Sequence, residues 1–466
     1  MLANQSSYAA DLALPDLPRR PERTLTGRLA GSLQDAIRSR RLRPGAPVPS
    51  SRALANQLGC SRWVVVQVYE QLVAEGFLTA TPGGATRVYD LPGQSRPQAI
   101  EPPASTLRYR IDLTPGQPDL SAFPASAWLR STQHVLASME WDSLNYVDPS
   151  GHPHFKSTMS EVLGRGRGVV AQAQQIHATA GASHAIGLIC RAAARHGHTH
   201  IAVEEPGWPP LRAFSEAAGL KLVPIPVDQH GLRVDLLEQS PHVRLALVTP
   251  AHQFPTGVVM SPERRNALLQ WSVAVDGLII EDSYDSEFRY DKRPLGCLQS
   301  MAPDRVAFVG STTKLLAPSL RLGWLVAPPQ WSPLVAAARE GHDLGVSALI
   351  QLTFADLAGN GQLERHLNRS RRLYRAKRAC MLDALSTHLP HLQVVGIAAG
   401  LHLLARLPAG SDERRITAVA ARHGVKVFGL ERYDMGVSRQ RGLVLGYARA
   451  TMPAIQEGIR ILSTCM

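Results

Sequence analysis

Leu25, Leu29, Leu33 and Ile37 recur every four residues and mark one face of an amphipathic helix, which Arg43-Pro44-Gly45 closes. A second short helix is expected over 51–58 and a tight turn at Gly59-Cys60. A third helix is expected over 62–75, with Ser61 as its N-cap and Gly76 at its end. Residues 77–79 and 87–89 flank Pro82-Gly83-Gly84 as two strands flank a turn. Further along, the pattern changes to short apolar runs at 201–205, 221–226, 245–249, 278–282, 306–310 and 323–327. Helical periodicity lies between several of them, notably at 211–218 and 262–271. Strands alternating with helices predict an α/β domain with a mainly parallel sheet. Helices dominate from about residue 335 and a strand-containing tail follows from 393, as in a smaller C-terminal lobe.

The two patterns meet at a break near residue 90. Residues 91–108 hold four prolines and few large apolar side chains, the composition of an extended, semi-rigid linker. The expected organisation is therefore an N-terminal α+β domain over 1–90, a linker over 91–110 and an α/β domain over 111–466. A chain of 466 residues is long enough for this division.

Composition narrows the function classes. Hydrophobic residues make up 44% and charged residues 19%, as in packed globular domains. No apolar run is long enough to span a membrane, and Met1 to Pro21 lacks the basic-then-apolar pattern of a secretory signal. The five cysteines are scattered, with no Cys-x-x-Cys pair. That argues against a disulfide framework or a metal site and fits a reducing cytoplasm. The net charge of +12 is unevenly placed: ten arginines stand against three acids between Asp16 and Arg62. Arginine forks bind phosphates bidentately, so this density points to a polyanion.

Helix, helix, glycine turn, helix and a two-stranded wing make a winged helix-turn-helix, whose third helix enters the major groove N-terminal end first. Ser61 and Arg62 lie at that end, and Arg52 at the start of the second helix faces the DNA backbone or a guanine edge. An isolated arginine is usually an ordinary solvated charge; the ordered array carries the inference. The sequence here resembles the GntR family through Arg41-Leu42-Arg43-Pro44-Gly45, Pro49-Ser50-Ser51-Arg52-Ala53-Leu54-Ala55, Leu58-Gly59-Cys60-Ser61-Arg62, Tyr69-Glu70-Gln71-Leu72 and Glu75-Gly76-Phe77-Leu78. The resemblance implies DNA contacts from Arg52, Ser61, Arg62 and the wing glycines Gly83 and Gly84. Two departures stand out: Trp63-Val64 follow the Ser-Arg pair, and the wing reads Gly83-Gly84-Ala85-Thr86 where the family has Gly-x-Gly-Thr. Trp63 could stack on the DNA sugar or pack in the core.

Three segments of the α/β part carry chemistry. Lys314 follows a strand and a hydroxyl cluster, Ser311-Thr312-Thr313, with Arg321 seven residues on. An amine that can shed its proton forms a Schiff base, and hydroxyls with a cation hold a phosphate. Gly181-Ala182-Ser183 opens a helix, where small residues expose N–H groups to an anion. A strand ends in Glu281-Asp282-Ser283-Tyr284, an acid able to hold a protonated pyridine nitrogen beside a phenol.

These pieces in this order resemble fold-type I aminotransferases. Joined to the N-terminal module, they resemble the MocR-type subfamily of GntR regulators, as seen also in Pro206-Gly207-Trp208, Thr249-Pro250-Ala251-His252-Gln253-Phe254-Pro255-Thr256-Gly257 and Glu281 to Tyr290. The resemblance spans nearly the whole chain. It implies pyridoxal phosphate held as an internal aldimine on Lys314, with Asp282 on the ring nitrogen, Tyr284 on the 3-oxygen and Trp208 stacked on the ring. It places Ala182, Ser183, Ser311, Thr313 and Arg321 near the phosphate. It also implies a homodimer in which Tyr146 reaches the partner's phosphate. Among Arg432, Arg439 and Arg441, subfamily spacing selects Arg432 for an effector carboxylate. A γ-aminobutyrate-type site would carry an arginine two residues past the stacking aromatic, where Pro210 stands. His252 either approaches the ring or is an ordinary loop residue; Gln253 or Phe254 falls where aminotransferases carry an asparagine.

The expected function is a transcription regulator that binds double-stranded operator DNA and senses pyridoxal phosphate, or an amine or amino acid that reacts with it. A working aminotransferase with a DNA-binding appendage is the alternative. A cofactor-free dimerisation scaffold is a third reading.

Overall fold

The computed structural model describes residues 24–81, 84–90, 109–291, 295–436 and 440–466. The linker expected over 91–110 lies almost wholly outside these residues, and so does Gly83. The chain divides into two compact units, residues 1–106 and 107–466.

In the first unit, α1 (Leu25–Arg38), α2 (Ser51–Leu58) and α3 (Arg62–Ala74) precede β1 (Leu78–Thr79) and β2 (Arg87–Val88). The four-residue spacing in α1 is what packs it. Leu29, Leu33 and Ile37 are buried against Leu54, Val65, Val68 and Leu72 of the other helices, with Leu78 and Val88 of the hairpin completing the core. Ser50 caps α2 by accepting a hydrogen bond from the Ala53 N–H at 3.2 Å. Gly59 ends α2 at φ +59°, a left-handed turn suited to glycine, and so sets the angle to α3. The wing pairs Leu78 with Val88 in antiparallel register, and Pro47 bridges to Arg87 behind it.

The second unit is built on an eight-stranded sheet. Its strands, with β3 (Ile111–Asp112) outside it, are β4 (Ile176–Thr179), β5 (His200–Glu205), β6 (Lys221–Asp228), β7 (Gly231–Leu232), β8 (Leu245–Val248), β9 (Leu278–Asp282), β10 (Val306–Ser311) and β11 (Gly323–Val326). The spatial order is β4-β11-β10-β9-β8-β5-β6-β7. The run from β10 to β6 is parallel, while β11 and β7 are antiparallel to their neighbours.

These strands read as continuous apolar runs because both faces are covered. Leu245, Leu247, Leu278 and Ile280 pack on one side with the helix Ala182–Arg195. Their neighbours Ala246, Val248 and Ile279 pack on the other with Leu268 and Trp271 of Pro262–Ala274. The long helix Gln362–His388 leads to a second, antiparallel sheet. It consists of β12 (Gln393–Val395), β13 (His402–Arg406), β15 (Phe428–Gly429) and β16 (Gly442–Gly446), in the order β12-β13-β16-β15. β3 pairs in parallel with β14 (Val425–Lys426), so the start of this unit is stitched to its C-terminal lobe.

The sequence pattern missed β4, β7 and the helices Ala125–Ser138 and Pro153–Arg167. β4 carries His177 in a four-residue strand, too short for a period to show, and burial on both faces supplies what local pattern lacks.

Candidate functional site

The carboxyl ends of β5, β8, β9 and β10 open into a cavity of about 290 Å³, near the lower end of the ~300–1,000 Å³ usual for small-molecule sites. Ligands in open α/β sheets bind at this edge. Asp282 and Ser311 are the last residues of β9 and β10, and Lys314 lies in the single turn Thr312–Leu315 that follows β10. Glu204, Thr249, Trp208, Arg212, Phe254 and the segment Pro115-Gly116-Gln117 complete the walls.

One end of the cavity is a cradle for an anion. The helix Ala182–Arg195 begins at Gly181, whose φ of +99° suits glycine. A side chain there would lie 3.4 Å from the Arg321 guanidinium. Arg321 donates to the Ala180 carbonyl, which holds the guanidinium beside the helix start. Ser183, Ser311 and Thr313 bring three hydroxyls to the same cavity. Free N–H groups, hydroxyls and a guanidinium form a donor set for a phosphate.

Near the centre, burial pushes the Lys314 amine below the usual lysine range, while Asp285 and Asp282 pull it back. Lowering this value favours the neutral, nucleophilic amine. The Asp282 carboxyl is pushed up to about 7, chiefly by burial and then by Asp285, with Lys314 opposing. Its Oδ1 is buried without a hydrogen-bond partner. A protonated ring nitrogen would satisfy that oxygen. The donor set, the amine and the orphaned carboxyl therefore fit pyridoxal phosphate, the cofactor of the aminotransferase family.

A carboxyl whose folded value is raised takes up protons on folding. Its contribution is complete below the unfolded value of 3.8 and is lost as pH rises through about 7. The shift caps the effect at about 4 kcal/mol. The melting temperature of ligand-free protein is thus expected to fall between about pH 4 and about pH 7, and Asp282→Asn should flatten the fall. Parallel melting profiles for the two proteins would contradict this account of Asp282.

The comparisons with known proteins agree with this geometry. Residues 110–454 match the family described as aminotransferase class I and II, and residues 25–88 match the bacterial regulatory proteins of the gntR family. The pyridoxine biosynthesis transcriptional regulator PdxR of Corynebacterium glutamicum is 32% identical over 448 residues, 94% of this chain and 95% of the relative. The probable rhizopine catabolism regulatory protein MocR of Rhizobium meliloti is 32% identical over 451 residues, 92% and 91% of the two chains. The chain belongs to the MocR-type regulators of the GntR family. An archaeal alanine:glyoxylate aminotransferase of known structure superposes on 76% of this chain and 90% of its own, with a TM-score of 0.70 and 28% identity. This regulator therefore combines a GntR-type DNA-binding domain with a fold-type I aminotransferase-like domain, and no helix among its described residues is long and apolar enough to cross a membrane.

Of the residues expected in the effector site of this regulator, Lys314, Asp282, Tyr284, Ala182, Ser183, Trp208, Ser311, Thr313 and Arg321 all line the one cavity. Tyr146 does not; it is 84% exposed. Arg432 is also absent from the lining, and its exposed guanidinium sits 4.6 Å from the Phe428 ring centre. Besides Arg321, the arginine on the wall is Arg212, four residues past Trp208, paired with Glu205 at 2.7 Å and bonded to the Tyr433 carbonyl. Phe254 lines the cavity. Gln253 lies behind it and donates to Glu204 at 3.2 Å. Glu204, Thr249 and Arg212 were missed by sequence reasoning. The usable signal was an acid pair closing an apolar strand, since strand ends face the ligand in this architecture.

In the DNA-binding unit, Arg52, Ser61, Arg62 and Gly84 are all exposed. The Ser61 side chain makes no capping hydrogen bond, and Arg62 Nε donates to Ser51 Oγ at 3.2 Å across the helix turn. Trp63 is 66% exposed, which excludes it from the core.

Proposed function

We propose that this regulator senses pyridoxal phosphate, or an amine or amino acid that reacts with it, in the cavity around Lys314, and passes occupancy to paired DNA-binding units that hold operator DNA. The observation that carries the reading is a buried amine sharing one cavity with an orphaned carboxyl and an anion cradle. When bound, the cofactor supplies an aldehyde that condenses with amines and an electron-poor ring. Lys314 offers the amine, and Asp282 holds a proton at the ring nitrogen. Tyr284 offers its hydroxyl to the ring oxygen, and Trp208 covers the ring face. The Ala182 N–H, Ser183, Ser311, Thr313 and Arg321 hold the phosphate. The relative named for pyridoxine biosynthesis regulation supports a vitamin B6 ligand.

Residues 1–90 act as the DNA-binding part, 91–110 as the linker and 111–466 as the sensor, with Arg52, Ser61, Arg62 and the wing glycines Gly83 and Gly84 on DNA. A homodimer is supported by exposed Leu129, Leu136, Trp141, Leu144 and Tyr146, a run of large apolar side chains unusual on a monomer surface. In such a dimer Tyr146 reaches the partner's phosphate. A switch requires that ligand favour one arrangement over another.

The test is operator retardation with a fragment from upstream of the gene, with and without pyridoxal phosphate and amines. A change in affinity or mobility that disappears in Lys314→Ala is the expected result. Unaltered DNA binding at saturating cofactor would refute the sensor reading. Sustained multiple-turnover transamination would instead make the domain an enzyme.

A further inference from the structure

Behind Tyr284 lies a buried cluster that the proposed function does not use. His252 and Asp285 are 3% and 1% exposed. His252 Nδ1 is 2.9 Å from Asp285 Oδ2 and 3.0 Å from the Tyr284 hydroxyl. The His252 and Tyr284 rings stack at 6.1 Å and 27°. Gly400, at φ +74°, closes over the pair: a side chain there would lie 2.2 Å from His252 Cε1 and 2.5 Å from Asp285 Oδ2. His402 of β13 stands 5.2 Å from His252, ring centre to ring centre. Its Nε2 is 3.2 Å from the Pro255 carbonyl, so that nitrogen carries the proton, and its Nδ1 is buried without a partner. The other ionisable groups facing the cluster are Lys314, Asp282 and Glu204 around the cavity, and Glu287, Tyr290 and Tyr447 beyond Asp285.

We propose that His252 and Asp285 are positioning residues that direct the Tyr284 hydroxyl proton into the cavity. One imidazole nitrogen cannot both donate to Asp285 and accept from Tyr284. As a carboxylate, Asp285 only accepts, so it claims the Nδ1 proton. Nδ1 is then closed to Tyr284 as an acceptor, and on that side only the Asp285 carboxylate, already engaged by His252, still competes for the hydroxyl proton with an acceptor in the cavity that Tyr284 lines. Without Asp285, Nδ1 is free to accept and draws the tyrosine proton inward. Without His252, Asp285 does the same. Either loss removes one donor from a buried site, where unpaired groups are costly.

This inference rests on pyridoxal phosphate binding at Lys314. The experiment loads wild type, Tyr284→Phe, Asp285→Asn, His252→Gln and the double variants with pyridoxal phosphate and records the visible spectrum against pH. His252→Gln is expected to move the spectral midpoint in the same direction as Tyr284→Phe, by about one pH unit (a tenfold effect) and by no more than Tyr284→Phe itself. Combined with Tyr284→Phe, His252→Gln should add no more than about 0.3 of a unit, whereas Asp285→Asn, which also withdraws a charge acting on Lys314, should still shift the midpoint there. A His252→Gln midpoint unchanged from wild type would overturn the proposal, and so would its full additivity with Tyr284→Phe. Poorer cofactor loading than Tyr284→Phe shows would also overturn it, because a residue acting through Tyr284 cannot cost more than Tyr284. A wild type with no visible band is a different failure, that of the cofactor reading.

Discussion

Lys314→Ala protein, incubated with pyridoxal phosphate and desalted, is expected to emerge colourless where the wild type emerges yellow. Borohydride treatment should add the cofactor's mass to the wild type and none to the variant. The physical basis is that the side chain supplies the one amine lining the cavity among the described residues, and burial already holds it below the usual lysine range. Residual non-covalent binding should persist, since Ser183, Ser311, Thr313 and Arg321 do not depend on Lys314 to form the anion cradle. The retained affinity is expected to be lower by about 10- to 100-fold, or about 1.4–2.8 kcal/mol. A variant that stays yellow after desalting would place the reactive amine elsewhere.

Arg62→Ala is expected to weaken specific operator binding by about 10- to 100-fold, with little change in melting temperature. Arg62 is exposed at the first turn of α3, tethered to Ser51 at the start of α2, and contributes nothing to the buried core of its unit. Its loss therefore removes a DNA contact without opening a cavity. If the contact is to phosphate, binding falls uniformly across sequences and the salt dependence drops by about one counterion. If it is to a guanine edge, discrimination at one base pair relaxes as well. Retardation assays at several salt concentrations, with the operator and a scrambled fragment, separate the two. Unchanged binding would remove Arg62 from the DNA interface.

Most of the N-terminal unit was legible in sequence. The helix over Ser51–Leu58 was placed with its observed bounds and α3 within a residue, and the apolar stripe of α1 was read correctly although the helix ends at Arg38, short of the expected stop at Arg43-Pro44-Gly45, because caps and a four-residue apolar period are local signals. The central strands β5, β8, β9 and β10 were equally legible as apolar runs bounded by polar residues. β11 was legible as the run at 323–327, but its antiparallel direction was not, since strand direction depends on the path of the connections; β7, the other antiparallel member, was missed. The positions of the arginines were poorly legible too. Arg432 and Arg212 look alike as letters in a chain, yet one is exposed over Phe428 and the other closes the cavity wall against Glu205. The cluster of His252, Asp285 and His402 had no linear signature, because its members come from three separate segments.

What the chain determines by itself is the set of local elements and the chemical inventory: capped helices, apolar strands, a lysine beyond a strand end, an acid and phenol beyond another. Those follow from side-chain periodicity and backbone preference over a few residues. Tertiary structure alone decided the strand order, that Arg212 and not Arg432 borders the cavity, and that a histidine and an aspartate meet behind Tyr284. Such meetings between distant segments are set by the packing of both sheet faces and the close approach at Gly400, and no short-range preference encodes them.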